Sequence, residues 1–164
     1  MDEPKGPTRK KRKFEEVLEQ GEEGTFEVMS HAEARGVRKN YKTVMGRKPP
    51  VNCKATTDQL SALRSRMADG RAPFADFGIF GPFGKKIAKL RKFEVRKMVG
   101  DEIVTKYITG PSDHEEWLSS WRVYRAALIA LDAVSAGSLD LYQEGIRVLV
   151  ALCPNSWGGH LDGR

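Results

Sequence analysis

Apolar residues recur at helical spacing in three segments, all of which follow residue 55. The first segment, TTDQLSALRSRMADG, places three apolar residues on one helical face: Leu60, Leu63 and Met67. Thr56 and Gln59 have the spacing of a capping box, and Gly70 is placed to end the helix. The pattern therefore predicts one helix at the start of an ordered region.

The other two helical segments lie near the end of the chain. Ser112 and Glu115 form a second capping-box pair ahead of a stripe of large residues: Trp117, Trp121, Tyr124, Leu128 and Leu131. A final helix from about Ser138 to Cys153, stopped by Pro154, carries another apolar face: Leu141, Tyr142, Ile146, Leu149 and Val150. Because only the short sequence SAGS separates them, these two helices are predicted to pair antiparallel.

Between the helices, apolar and polar residues alternate as they do in β-strands. Phe93–Val99 and Glu102–Ile108 flank Gly100-Asp101, a pair that suits a two-residue hairpin turn. The alternation directs Lys92 and Arg96 outward on one face of this hairpin. We expect the helix pair to cover the sheet, because two strands alone are marginally stable.

The segment PFADFGIFGPFGKK joins the first helix to the hairpin and has the look of a phosphate-binding loop. Gly78 and Gly84 enclose five residues where that motif has four, and Lys86 stands where Ser or Thr would contact magnesium. We therefore interpret the segment as an irregular crossing, in which glycines permit tight turns and phenylalanines reach the core: Phe74, Phe77, Phe80 and Phe83.

The first 54 residues are built from charged blocks and show little apolar periodicity. An acidic run from Phe14 to Glu27 lies between the basic run RKKRK and a basic stretch from Arg35 to Pro50. Ordering costs about 1–2 kcal/mol per residue, which so little apolar surface does not offset. We predict a largely disordered charged tail over residues 1–54, with at most a short helix near Phe14. A globular domain then spans residues 55–158, and residues 159–164 form a loose carboxyl end.

Composition adds a preference for anionic partners. The net charge is +6 and the isoelectric point is about 9.4, which favours nucleic acid ahead of an acidic membrane surface or protein. Cys53 and Cys153 are far apart, which favours two free thiols in a reducing compartment. No window has the long apolar run of a signal peptide or membrane span. We expect a soluble protein of the nucleus and cytoplasm that does not contact membranes.

The strongest cation cluster lies where the crossing enters the hairpin. Between Lys85 and Lys97, seven cations accompany a single carboxylate, that of Glu94: Lys85, Lys86, Lys89, Arg91, Lys92, Arg96 and Lys97. Because a phosphate backbone requires clustered cations rather than a fixed motif, these residues are the candidate site for RNA or single-stranded DNA. The alternative is that they only protect a strand edge from aggregation.

The amino-terminal run RKKRK also has two interpretations. A dense basic peptide in a disordered tail is typical of a nuclear import signal, which makes an import receptor a candidate partner: Arg9, Lys10, Lys11, Arg12 and Lys13. The same run is otherwise an electrostatic arm for nucleic acid. The acidic run that follows is a candidate to fold back on the basic segments, RKKRK and Arg35 to Pro50, and so to compete with nucleic acid.

Catalytic constellations are not evident. His31, His114 and His160 do not combine with a cysteine at zinc-ligand spacing, and no serine occupies a nucleophile-elbow sequence. Trp117 and Trp121 are interpreted as core residues rather than as a base-stacking surface. We predict a protein that is not an enzyme and that requires neither a cofactor nor a metal.

Three stretches of the chain resemble a known family. They are PFADFGIFGPFGKK, SWRVYRAALIALD and LDLYQEGIRVLVALCPNSWG. Over about Thr56 to Gly158 the sequence resembles a non-catalytic region of retrotransposon-encoded polyproteins of unicellular eukaryotes. The resemblance implies a gag-like role in holding element RNA or in self-association, and it assigns no catalytic or binding residues.

These observations predict a small single α+β domain. It comprises one N-terminal helix, a glycine- and phenylalanine-rich crossing, a basic β-hairpin and a C-terminal antiparallel helix pair. The predicted function is non-enzymatic, sequence-independent binding of a nucleic-acid backbone by a protein of retroelement origin. The alternative is a nuclear protein-interaction module whose basic tail only directs import.

Overall fold

The protein is a small α+β structure with two antiparallel sheets. The computed structural model describes Gly6, residues 8–87, residues 90–154 and Trp157, with the side chains of Val95 and Ile108 excepted. The strands are β1 (Lys11–Lys13), β2 (Thr25–Glu27), β3 (Leu90–Val99) and β4 (Glu102–Pro111). The helices are α1 (Phe14–Val17), α2 (His31–Met45), α3 (Thr57–Ala68), α4 (His114–Ala130) and α5 (Ala136–Leu152). Strand β1 pairs with β2, and β3 pairs with β4.

The amino-terminal segment is folded, contrary to the expectation of a largely disordered tail. Strands β1 and β2 pair antiparallel, with Arg12 opposite Phe26. Helix α2 begins with a capping box in which Ser30 and Glu33 each accept a hydrogen bond from the other's backbone N–H. It ends at Gly46, whose φ of 73° places it in the left-handed region. The short helix allowed near Phe14 is present as α1, but α2 was not predicted, so the prediction of a single N-terminal helix is wrong.

The core explains why this segment folds. Its few apolar side chains are buried in a core shared with α3 and α4: Phe14, Val17, Leu18, Phe26, Met29, Ala34 and Tyr41. Within this set the rings of Phe14 and Phe26 also pack together, with centroids 5.1 Å apart. Partners from later in the chain include Leu60, Leu63 and Val123. Because helical stability in proteins comes mostly from such packing, the local pattern alone underestimated the order of this segment.

Helix α3 confirms the first helical prediction. Thr56 Oγ1 accepts a hydrogen bond from Gln59 N at 3.1 Å, and Gln59 Oε1 accepts one from Thr56 N at 2.9 Å. The buried Gln59 side chain also donates to Gly81 O at 2.8 Å. Gln59 thus links the start of α3 to the crossing that follows the helix.

The glycine- and phenylalanine-rich crossing is only partly anchored by its phenylalanines. Phe80 is fully buried and Phe77 packs against the core, whereas Phe74 and Phe83 are exposed, which corrects the prediction that all four reach inward. A Cβ at Gly81 would lie 2.2 Å from Lys85 O, so the chain passes itself there at a distance that only glycine permits. The backbone N–H groups of Gly78, Ile79 and Phe80 donate to Asp76 oxygens. These donors are consequently not directed at a phosphate.

The hairpin of β3 and β4 is confirmed and is longer than predicted. Its strands run from Leu90 opposite Pro111 to Val99 opposite Glu102, with Gly100-Asp101 at the turn. The helices do not cover it, contrary to expectation, and none of its described side chains is buried. Ile103 and Met98 lie opposite each other near the tip and are 69% and 68% exposed.

The two C-terminal helices pair antiparallel, as predicted. Trp121 Nε1 donates to Gln143 Oε1 at 2.8 Å, and Arg125 binds Asp140 at 2.9 Å. The cap of α4 is Asp113, which accepts a hydrogen bond from Glu116 N, so the predicted Ser112–Glu115 capping box does not form. On α5 the predicted apolar face is largely exposed, and the buried residue of that helix is Leu139.

An aromatic cluster fills the space between α4, α5 and the crossing. The rings of Trp117 and Trp121 stack with centroids 5.3 Å apart, and Phe77 lies against both. The side chain of Trp121 is buried, so it has no free face for a base. The interpretation of these aromatic residues as core is therefore confirmed.

Candidate nucleic-acid interface

The predicted hairpin cations reach solvent but do not form a single stripe. The strand register places Lys92 and Arg96 on one face of the hairpin, and Arg91 and Lys97 on the other. Lys106 of β4 shares the face of Lys97. All five side chains are exposed. The hairpin is thus a two-sided positively charged arm.

Few of these charges are neutralised locally. Among the described residues, only Arg96 of the five lies within 4.0 Å of a carboxylate, that of Glu94 at 3.4 Å. Both of those side chains are solvated, so this pair is expected to contribute no more than about 1 kcal/mol. The guanidinium of Arg91 stands over the ring of Phe93, 5.7 Å from its centroid. The arm therefore retains most of its positive charge.

The remaining predicted cations lie before the hairpin. Lys85 and Lys86 are exposed and follow the turn Pro82–Gly84, which contacts the turn Val51–Cys53. Gly84 packs so closely on Thr56 that an added Cβ would lie 3.3 Å from Thr56 Cγ2. Lys89 lies outside the described residues. Lys85 and Lys86 thus adjoin the segment that precedes α3.

The basic run RKKRK is part of the folded structure. Lys11, Arg12 and Lys13 form β1, and Lys10 O accepts a hydrogen bond from Val28 N at 2.8 Å. Arg12 donates to Asp58 Oδ2 at 2.7 Å, and Arg9 lies 3.4 Å from a carboxylate oxygen of Glu33. The run is not the free peptide on which the import hypothesis was based, and that hypothesis stays a prediction.

The acidic run pairs with the basic run through contacts of Arg12 with Glu16 and of Lys13 with Glu15, and it also binds two cations that were not expected. Arg66 of α3, whose side chain is 3% exposed, lies 2.8 Å from carboxylate oxygens of both Glu19 and Glu22. Arg71 also pairs with Glu22. A hydrogen bond from Arg71, together with the charges of Arg66 and Arg71, holds the pKa of Glu22 below its ordinary value of 4.5 against the opposing effect of burial. These carboxylates attach the amino-terminal segment to α3.

A basic groove that was not predicted lies between α2, the segment that precedes α3, and the end of α4. Its volume is about 610 Å³, and six of its lining residues are cations: Arg35, Arg38, Lys39, Lys42, Lys48 and Lys54. No carboxylate of the residues that the structure describes belongs to the lining. The apolar part of the lining, which we call the floor, includes Tyr41, Val51, Ala126 and Ala130. The groove thus brings six cations together in a chain whose formal net charge is +6.

Hydrogen bonds between distant segments fix the walls of this groove. Arg38 Nη2 donates to Thr57 Oγ1 at 3.1 Å and to Ala55 O at 3.4 Å, which ties α2 to the start of α3. Asn40 Nδ2 donates to Ala130 O at 3.0 Å, which ties α2 to the end of α4. Arg38 Nε is buried and has no hydrogen-bond partner in the described part of the chain. The walls of the groove are therefore fixed by contacts of α2 with the start of α3 and the end of α4.

The sequence contained signals for this groove. Ser30 and Glu33 have capping-box spacing, and between Arg35 and Lys54 there are seven cations and no carboxylate. Such a charge density was interpreted as a mark of disorder. What the sequence did not contain was the pairing of α2 with α4, which brings Ala126 and Ala130 beneath the cations.

The described residues offer little of the chemistry of a catalytic or metal site. Within residues 8–87 and 90–154, no group of three or more His, Cys, Asp or Glu side chains is placed to hold a metal ion. The imidazole of His114 stacks on Trp117, with centroids 5.8 Å apart. Burial raises the pKa of Tyr124, whose hydroxyl donates to Pro73 O. Of the helices described, none is both long and apolar enough to cross a membrane.

Comparison with known proteins gives no match to a family model, to a curated protein or to a solved structure.

Proposed function

We propose that this protein is a non-enzymatic nucleic-acid-associated protein that binds the backbone of RNA or single-stranded DNA. The observation that supports this proposal best is the hairpin, which carries exposed, mostly unpaired cations on both faces. Phosphate contacts of this kind position a strand without reading its bases. A gag-like role in a retroelement, which the sequence resemblance implies, is consistent with such binding.

The hairpin suits a flexible polymer better than a compact anion. A chain of phosphates can contact Lys92 on one face and Lys97 or Lys106 on the other, whereas a small ligand meets only one face. Exposed Tyr107 lies on the face of Lys92 and offers a ring to a base. Binding should therefore be weak per site, tolerant of sequence and strongly dependent on salt.

The test is the salt dependence of binding to a labelled oligouridine, measured by fluorescence anisotropy. On a single strand each lost phosphate contact lowers the slope of log affinity against log salt by about 0.7, so replacing Lys92, Lys97 and Lys106 by alanine should flatten it by about 2. The charge-matched control replaces Arg64, Arg122 and Arg147, which reach solvent and lie outside the hairpin, the groove and the basic run. Absence of binding by the unaltered chain at low salt, or equal slopes for the two variants, would contradict the proposal.

A second candidate function is that of a protein-interaction module. The exposed apolar side chains of α5 favour it: Leu141, Tyr142, Leu149 and Leu152. Apolar patches of this kind commonly mark interaction sites, and a second copy of the chain is a candidate partner for this face, whereas an import receptor would bind the basic tail. Sedimentation analysis of the unaltered chain and of Leu141→Glu tests self-association. A concentration-independent monomer in both would exclude a second copy as the partner.

A further inference from the structure

We propose that the basic groove between α2 and α4 binds a nucleotide unit of a single-stranded nucleic acid, with its phosphates on the cationic rim and its base on the apolar floor. This inference rests on the proposed function and assigns it a second site. The groove and the hairpin lie at opposite ends of α4, because the hairpin leads into His114 whereas the groove contains Ala126 and Ala130. At 1.5 Å per residue this separation is about 20 Å, which a single polymer can bridge.

The charge of the lining identifies the ligand as an anion. Six cations line one groove without a carboxylate among the described lining residues, and the self-repulsion of such a cluster is relieved when an anion binds. In the described structure, none of Arg35, Lys39, Lys42 and Lys48 lies within 4.0 Å of a carboxylate. A phosphate oxygen is an acceptor of the required charge.

The hydrogen-bonding character of the lining favours phosphate esters over acidic peptides. Apart from the phenol of Tyr41, the lining side chains offer donors or apolar surface and no acceptor. A peptide presents a backbone N–H at almost every residue, and these donors would find no side-chain acceptor here. A nucleotide instead presents acceptor oxygens next to a flat ring.

The size and floor of the groove favour a single strand over a duplex. A volume of about 610 Å³ lies within the range of small-molecule sites. Val51, which is 74% exposed, and Pro49 supply apolar surface for an unstacked base. A duplex keeps the faces of its bases within its own stack, so it would gain little from this floor.

The first test compares salt slopes for three charge-matched variants. Replacing Lys39, Lys42 and Lys48 by alanine should flatten the slope for oligouridine by about 2 and weaken binding about tenfold at moderate salt. The control with Arg64, Arg122 and Arg147 replaced should retain most of the slope. If the groove variant matches this control while the hairpin variant loses binding, the groove inference is wrong and the proposed function stands. If the unaltered chain binds no oligouridine, both the groove inference and the proposed function are wrong.

The second test locates the base directly. An oligonucleotide containing 4-thiouridine should photocrosslink to the tryptic peptides that carry Tyr41 and Val51. Val51→Glu introduces a carboxylate at an exposed position of the floor and should abolish that crosslink, whereas Val148→Glu on α5 should not. Circular dichroism checks that both variants are folded. Crosslinks confined to the hairpin would overturn the inference.

Competition experiments separate the other sources of anionic charge. Duplex RNA should not compete for the groove crosslink, and uridine monophosphate should compete far less effectively than oligouridine because it brings one phosphate only. Polyglutamate should likewise leave the crosslink intact. Equal competition by the mononucleotide or by polyglutamate would show that the groove binds a free nucleotide or an acidic peptide, and either result overturns the assignment.

Discussion

Replacing Arg66 should detach the amino-terminal segment from α3 and cost a large part of the stability of the protein. Its guanidinium, on a side chain only 3% exposed, binds two carboxylates at 2.8 Å and donates to Phe74 O at 2.7 Å. Arg66→Met keeps an unbranched side chain of similar helix propensity but removes all three contacts.

The magnitude follows from the burial of the partners. Breaking a fully buried pair costs about 3–5 kcal/mol, because the remaining charge loses its partner. Here the side chains of Glu19 and Glu22 are 35% and 13% exposed, so water compensates part of the loss. Arg66 Nε is itself buried without a partner, and its removal recovers about 1 kcal/mol. We therefore expect a net loss of about 2–3 kcal/mol.

Urea unfolding followed by tryptophan fluorescence measures this loss, with Arg64→Met as the matched control. Arg64 lies on the same helix, is 38% exposed and contacts a single carboxylate oxygen of Glu33 at 3.5 Å. Its replacement should cost no more than about 1 kcal/mol. Equal losses for the two variants would refute the argument that Arg66 attaches the amino-terminal segment.

The pairing of Glu22 with Arg71 and with Arg66 predicts a dependence on pH. The pKa of Glu22 is lower in the folded protein than its ordinary value of 4.5, so its stabilising contribution is present above that pH and is lost as the pH falls below it. The difference between the unaltered chain and Arg66→Met should therefore shrink at acidic pH. A difference that stays constant through this range would exclude a role for the carboxylate charge.

Three other predictions test the fold. Trypsin should cleave the exposed hairpin at Lys97 or Lys106 before it cleaves α2, and earlier cleavage at Arg35 or Lys39 would contradict the folded amino-terminal segment. Gly81→Ala should destabilise the protein by about 1–3 kcal/mol, because the added Cβ would clash with Lys85 O. Gly145→Ala, in an open position of α5, should instead stabilise the protein by about 0.5–1 kcal/mol. Thermal unfolding measures both effects. A reporter fused to residues 1–14 should concentrate in the nucleus more strongly than one fused to the whole chain, because the fold holds β1 in a sheet. Equal nuclear fractions of the two reporters in fluorescence images would refute this prediction.

Features specified by local sequence were predictable. The capping box at Thr56 and Gln59, the turn at Gly100-Asp101 and the aromatic stripe of α4 each depend on residues a few positions apart. Such signals are read directly from spacing, and the corresponding elements were located to within a few residues. The prediction failed at Ser112 only because the adjacent Asp113 is an equally suitable cap.

Features that depend on distant partners were not predictable. Strands β1 and β2 have three residues each, too few for an alternating pattern, and they pair with each other only in the folded chain. The apolar face of α5 has the pattern of a buried helix, yet Leu141 is 77% exposed because no described element covers it. The cationic groove required the contact between Asn40 and Ala130, which no local pattern contains.

The contact between α2 and α4 also has a consequence for how the protein is made. Asn40 and Ala130 are 90 residues apart, so at about 5–20 residues per second the ribosome completes α2 about 5–18 s before its partner exists. Throughout that interval Tyr41 and its neighbours lack the surface that buries them in the finished fold. Nascent chains of this protein should therefore depend on chaperones during synthesis, and a chain terminated before Ala130 should be degraded rather than accumulate.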